Sequence, residues 1–135
     1  MALRPFHILV AGHGELAAAL VSAAEMICGA LPGVGAIGLR ANETPEAFER
    51  RLRAQLEPER PTLILTDLRG GTPHNVASMV ARRDDRLWVI GGANLGLLIE
   101  ATTSRDELDA AHVERLVKVA RNAIADASAR LEARH

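Results

Sequence analysis

Lysine, cysteine and aromatic residues are scarce in this sequence. Lys118 is the only lysine, and the other fifteen basic residues are arginines. A nucleotide-binding P-loop needs a lysine directly after its glycines; the only lysine here sits in the last helical stretch, which excludes one. Cys28 is the only cysteine, so there is no internal disulfide and no cysteine zinc site. Tyrosine is absent, and Phe6, Phe48 and Trp88 are the only aromatics, too few for a base-stacking platform. No basic block exists: Arg82-Arg83 runs straight into Asp84-Asp85, and the net charge is −1. A phosphate-backbone binder needs clustered cations, so nucleic acid is not an expected partner. No apolar run approaches the ~18 residues of a membrane span. Met1 to Val10 lacks the long apolar core of a signal peptide. A single thiol and no leader suit a reducing cytoplasm.

What is present is ordinary for a soluble domain: 48% hydrophobic and 24% charged residues. A chain of 135 residues is expected to form one domain over 1–135. At that size folding buries roughly 68–70% of the unfolded surface.

Apolar runs alternate with helical periodicity. Phe6 to Ala11 reads as a buried strand, Val34 to Leu39 as a glycine-broken one, Thr62 to Thr66 as the clearest, and Leu87 to Ile90 as the fourth. Glu15 to Cys28 reads as a helix with Leu16, Leu20, Ala23, Ala24 and Ile27 facing inward. Thr44-Pro45-Glu46 opens a helix to about Leu56, with threonine as cap, proline in the first turn and an acid at the positive dipole end. Thr72-Pro73 opens another to about Arg83 by the same logic. Asn94 to Ala101 is a short helix. Ser104 to Glu107 has the spacing of a capping box for a final helix. That helix carries Val113, Leu116, Val117, Ala120, Ile124, Ala127 and Leu131 on one stripe. The order βαβαβαβ plus two helices predicts an α/β fold: an open, mostly parallel sheet of four or five strands with helices on both faces.

Such sheets bind ligands beyond the carboxyl ends of their strands, beside a topological switch point. Two polar loops lie there: Gly12-His13-Gly14 after strand 1, and Asp67 to Asn75 after strand 3. They face each other if strand 1 lies between strands 2 and 3. His13, between glycines, is then an uncovered imidazole. Asp67 is placed to accept from one ring nitrogen and leave the other free as a nucleophile. Gly70, Gly71 and Thr72 bring free amides at a helix N-terminus, which suit an anion. Together these point to a phosphoryl group carried on His13. Each motif alone has a plain reading, an exposed histidine, a turn or a helix cap; their pairing at matching strand ends carries the argument.

These residues resemble a family. Val10-Ala11-Gly12-His13-Gly14, Ala24-Glu25-Met26-Ile27-Cys28-Gly29, Thr66 to Ser78 and Gly92 to Leu98 match in order the enzyme IIA component of the mannose-type phosphotransferase system (mannose/fructose/sorbose PTS). The likeness covers about residues 6 to 102, and the thirteen positions from Thr66 are its most specific part. It implies a phosphocarrier that takes a phosphoryl group from the carrier HPr onto His13 and passes it to a IIB component. That component serves a membrane permease, IIC/IID, in sugar uptake. It implies that Asp67 holds the imidazole and that Thr72 contacts the phosphoryl group; Gly70, Gly71, His74 and Asn75 of the same loop are candidates to complete the phosphoryl-binding site. It also implies a homodimer. No cofactor and no metal are called for.

Leu68, Arg69 and Leu95 are candidates for the partner surface, with Leu97 beside them; the leucines could equally be core. His74 stands where the family usually has an apolar residue, and it could donate to the phosphate or cap the helix. Gly96 stands where many members have proline. Family dimers exchange a C-terminal strand, whereas Ala123 to His135 reads as helix. With no IIB domain on the chain, the acceptor is expected to be a separate protein. Three other readings stay open: a regulatory phosphohistidine switch without a permease, a dihydroxyacetone-kinase phosphotransfer subunit, and a divalent-metal enzyme using His13, Asp67 and His74. No spacing here resembles a known metal motif.

Overall fold

Short strands that are apolar along their whole length need cover on both faces, and intervening helices supply it. The computed structural model describes residues 4–128. The elements are β1 (His7–His13), α1 (Leu16–Cys28), β2 (Val34–Leu39), α2 (Pro45–Ala54), β3 (Thr62–Thr66), α3 (Thr72–Ala81), β4 (Leu87–Gly91), α4 (Leu95–Thr103) and α5 (Ala110–Asn122). The strands form one sheet in the order β2-β1-β3-β4, so strand 1 does lie between strands 2 and 3. All three pairings are parallel. The expected open α/β sheet is present, with four strands among the described residues.

Alternation along the strands divides the core into two layers. Ile8, Val10, Leu63 and Leu65 pack with Ala17, Ala24, Leu97, Leu98 and Leu116 of α1, α4 and α5. Leu9, Ala11 and Ile64 pack with Phe48, Leu52, Val76 and Val80 of α2 and α3. These side chains are almost wholly buried.

Several boundaries differ from the sequence reading. β1 runs two residues further than Ala11, pairing Gly12 with Gly38 and His13 with Leu39. His13 is therefore the last residue of a strand and not part of a loop. Thr44 caps α2 as expected, its hydroxyl accepting from the Ala47 amide at 3.1 Å. α3 is different: Gly71 is the cap, Thr72 is already helical, and no side chain caps the end. α2 and α3 each end two residues early, at Ala54 and Ala81.

The capping box at Ser104 does not form. Ser104 ends α4, and Asp109 caps α5, accepting from the His112 amide at 2.8 Å. The Ser104 hydroxyl instead meets His112 Nε2 at 2.7 Å, while His112 Nδ1 lies 3.0 Å from the Glu107 carbonyl. A carbonyl can only accept, so Nδ1 carries the proton and Nε2 accepts from the serine. Both nitrogens of a buried imidazole are thus satisfied, which outweighs one helix cap.

The final stripe also stops early. α5 ends at Asn122, and Ile124 and Ala127 are exposed. The expectation of helix from Ala123 fails up to Ser128; residues 129–135, with Leu131, lie outside the described residues.

In α1 the buried residues are Ala17 and Ala24, while Leu16 and Ile27 are exposed. Glu25 is the helix's only charged residue, so its pattern barely distinguishes inside from outside.

Candidate functional site

Parallel pairing in the order β2-β1-β3-β4 brings the ends of β1 and β3 side by side, and both loops with them. The Asp67 amide continues the ladder by donating to the Ala11 carbonyl at 3.2 Å. This aims the carboxylate across at β1. Asp67 Oδ2 accepts from the His13 backbone amide at 2.8 Å and lies 2.9 Å from His13 Nδ1. The imidazole is 45% exposed and the carboxylate only 8%. Burial pushes the Asp67 carboxyl up, but hydrogen bonds from the His13 amide and imidazole outweigh it and hold it below its ordinary value. An ionised carboxylate only accepts, so Nδ1 bears the proton and Nε2 keeps its lone pair.

The loop after β3 closes against this imidazole. Gly71 adopts φ −76°, open to any residue, so its need is for space. A Cβ there would sit 2.8 Å from His13 Cε1. Gly70, by contrast, has φ +89° and occupies the left-handed region that glycine favours. The Asn75 side chain donates to the Gly70 carbonyl at 3.0 Å and braces the turn. The Asn75 amide donates to the Gly71 carbonyl, closing the first turn of α3. The Thr72 and His74 amides precede that bond and lack helical partners, and Pro73 has no N–H. These amides and the helix dipole therefore stand beside the exposed imidazole, an arrangement that favours an anion.

Other candidates fall in different places. His74 turns toward β4: its Nδ1 lies 2.8 Å from the buried Thr66 hydroxyl, and its ring fills the space a Cβ on Gly91 would occupy at 2.8 Å. Leu68 is 59% exposed beside Asp67. Arg69 is exposed and lines a separate cleft of about 320 Å³ with His74 and Arg121. Leu95 is half-buried against the core and Leu97 is fully buried. The sequence reading missed the Thr66–His74 contact and the role of Gly91. A threonine ending one strand and a glycine ending its neighbour were the only signals. Among the described residues no group of three or more His, Cys, Asp or Glu side chains converges as a metal would require. No helix among them is long and apolar enough to cross a membrane.

Fold and site together define a class: a small open-sheet α/β domain with an exposed, carboxylate-held histidine at the carboxyl edge of its sheet. The family model described as "PTS system fructose IIA component" matches residues 7–118. The chain belongs to this IIA family of the sugar phosphotransferase system. It is 33% identical over 103 residues to the mannose-specific EIIAB component of Escherichia coli K12, covering 74% of this chain. It spans only 32% of that relative's length. It is 29% identical over 115 residues to the sorbose-specific EIIA component of Lacticaseibacillus casei, covering 83% of each. Among solved structures, the PTS IIA protein associated with the fucose utilization operon of Streptococcus pneumoniae superposes with TM-score 0.83 at 32% identity. That match covers 97% of this chain and 99% of the other. The mannose/sorbose IIA subunit from Enterococcus faecalis gives TM-score 0.85 at 30% identity, over 92% and 95%.

Proposed function

We propose that this protein is a phosphocarrier that accepts a phosphoryl group on Nε2 of His13 from phospho-HPr and passes it to a IIB component. The observation that carries the reading is the double hold of Asp67 on His13, through the amide at 2.8 Å and Nδ1 at 2.9 Å. That hold fixes one tautomer and leaves Nε2 free on the exposed side. The Nε2 lone pair attacks phosphorus. The P–N bond to the donor histidine breaks, and its electron pair returns to the donor ring. The phosphorylated ring is cationic with its Nδ1 proton in place, and the Asp67 carboxylate offsets that charge. On this reading the Thr72 hydroxyl and the first-turn amides of α3 donate to the phosphoryl oxygens. Onward transfer to IIB is the same displacement in reverse.

Family membership supports this role. On this reading the IIC/IID permease lies downstream, the chain works in the cytoplasm as a homodimer, and 1–135 acts as one unit. Incubation with phosphoenolpyruvate, enzyme I and HPr is expected to give an acid-labile adduct that His13→Ala abolishes. An adduct that survives His13→Ala overturns the assignment.

A further inference from the structure

A cleft of about 320 Å³, separate from the His13–Asp67 pair, lies between β4 and α5. Arg69 and His74 line one side of it, and Val113, Val117, Arg121 and Ile124 line the other. Gly91 of β4 brings the first two together. A Cβ there would lie 2.8 Å from His74 Cε1 and 3.4 Å from Arg69 Cβ, so both residues pack over the bare glycine. The His74 ring is fixed in that position by the Thr66 hydroxyl, 2.8 Å from its Nδ1. Val113, Val117 and Arg121 follow one another at four-residue spacing, so they share one face of α5. Arg69 and Arg121 are exposed, and neither forms an ion pair among the described residues. No acidic residue lines the cleft. Two guanidinium groups on one cleft repel each other, and an anion between them removes that cost.

We propose that this cleft is a binding site for a small organic oxyanion with an apolar body, its carboxylate or phosphate head held by Arg69 and Arg121. Guanidinium groups suit either head, because their paired N–H groups match two oxygens of one anion. The body is apolar because the walls are. Val113, Val117 and Ile124 offer it contact but no hydrogen bond. Asn94 also lines the cleft, but both ends of its side chain are already used. Its Oδ1 accepts from the Leu97 amide and its Nδ2 donates to the Ala120 carbonyl, each at 2.9 Å. No side-chain amide is therefore left for the hydroxyls of a sugar. The volume sets the size. Pockets of this kind start near ~300 Å³, and at the ~30 Å³ that a water molecule fills, the cleft holds about ten non-hydrogen atoms. Apolar walls with a few charged groups are the usual make-up of a small-molecule site. The site does not depend on what His13 carries.

The test titrates the full chain by calorimetry with phenyl phosphate and with 3-phenylpropionate, two anions of that size with different heads. Glucose 6-phosphate keeps the charge without the apolar body, and 3-phenylpropanamide keeps the body without the charge. The expected result is one-to-one binding of at least one of the two anions with Kd below ~1 mM, and binding at least tenfold weaker for both controls. The tighter of the two anions identifies the head group. Arg121→Gln changes an exposed side chain at the end of α5 and is expected to raise that Kd at least tenfold. His13→Ala is expected to leave it unchanged. Loss of binding in His13→Ala would place the anion at the candidate site and overturn the inference. So would an unchanged Kd in Arg121→Gln, or a control that binds as tightly as the anions. No saturable binding of either anion, as when a second copy of the chain fills the cleft, also overturns it.

Discussion

At the scale of single residues, three side-chain relations make His13 more than a surface histidine. Asp67 sets its tautomer, the sheet fixes its backbone, and Gly71 leaves room for its ring. The third is open to a clean test. Gly71→Ala asks nothing unusual of the backbone at φ −76°, yet its Cβ meets the imidazole at 2.8 Å. The expected outcome is a protein of near-native stability whose phosphoryl transfer falls on the order of tenfold or more, since sub-ångström misplacement of a reacting group is costly. Stability is read by urea unfolding and transfer by adduct formation. Normal transfer would show that the ring position near Gly71 is immaterial. His13 and Asp67 were legible in sequence because one ends an apolar strand and the other directly follows one, and strand order makes them meet. His74 was not. Its partner is Thr66, eight residues away, and its space comes from Gly91; both are consequences of the β3–β4 pairing.

At the scale of elements, two Thr-Pro sequences behave differently. Thr44 caps α2 with its side chain, whereas Thr72 lies inside α3 with Gly71 as the cap. Thr44→Ala is expected to lower unfolding stability by about 1 kcal/mol. Thr72→Ala is expected to leave it nearly unchanged while slowing transfer. Urea midpoints at constant slope would show both; equal losses would contradict the difference in capping. The same reasoning marks the limits of local patterns. Thr44 succeeds because nothing else competes for its hydroxyl. Ser104 fails because His112, buried against Phe6 with ring centroids 5.6 Å apart, needs a donor for Nε2. The inward face of α1 was unreadable because a helix with one charge hardly records which side meets the sheet. The end of α5 was missed because its apolar stripe continues in sequence past the core that it covers.

At the scale of the whole molecule, the sheet carries the candidate site at one end and a charged cluster at the other. His7 opens β1 with its side chain 12% exposed and Nδ1 2.9 Å from Glu57 Oε2. Glu57 also pairs with Arg60, which donates to the Arg4 carbonyl. Burial pulls the His7 pKa down; Glu57 raises it, Arg60 and Arg4 lower it, and the net shift is below 6.5. The unfolded chain therefore takes up a proton at a higher pH than the folded one. The stability that neutral His7 contributes is whole above its unfolded pKa and declines as pH falls toward the folded value. As pH falls below the ordinary histidine value of 6.5, unfolding free energy is expected to fall with a slope of up to ~1.4 kcal/mol per pH unit. His7→Gln is expected to flatten that slope; a slope unchanged in the variant would contradict the assignment. This end of the molecule is remote from His13, so the proposed transfer chemistry and the pH-dependent stability are expected to be separable.

The central claim concerns one atom, and the most direct measurement locates the phosphoryl group on it. The protein is phosphorylated by phospho-HPr, and the product is read by phosphorus NMR with the modified residue mapped by mass spectrometry. A single acid-labile phosphoryl group on Nε2 of His13 is the predicted result. A group on Nδ1, or on any other residue, would contradict it, because Asp67 holds Nδ1 at 2.9 Å and leaves only Nε2 free to react.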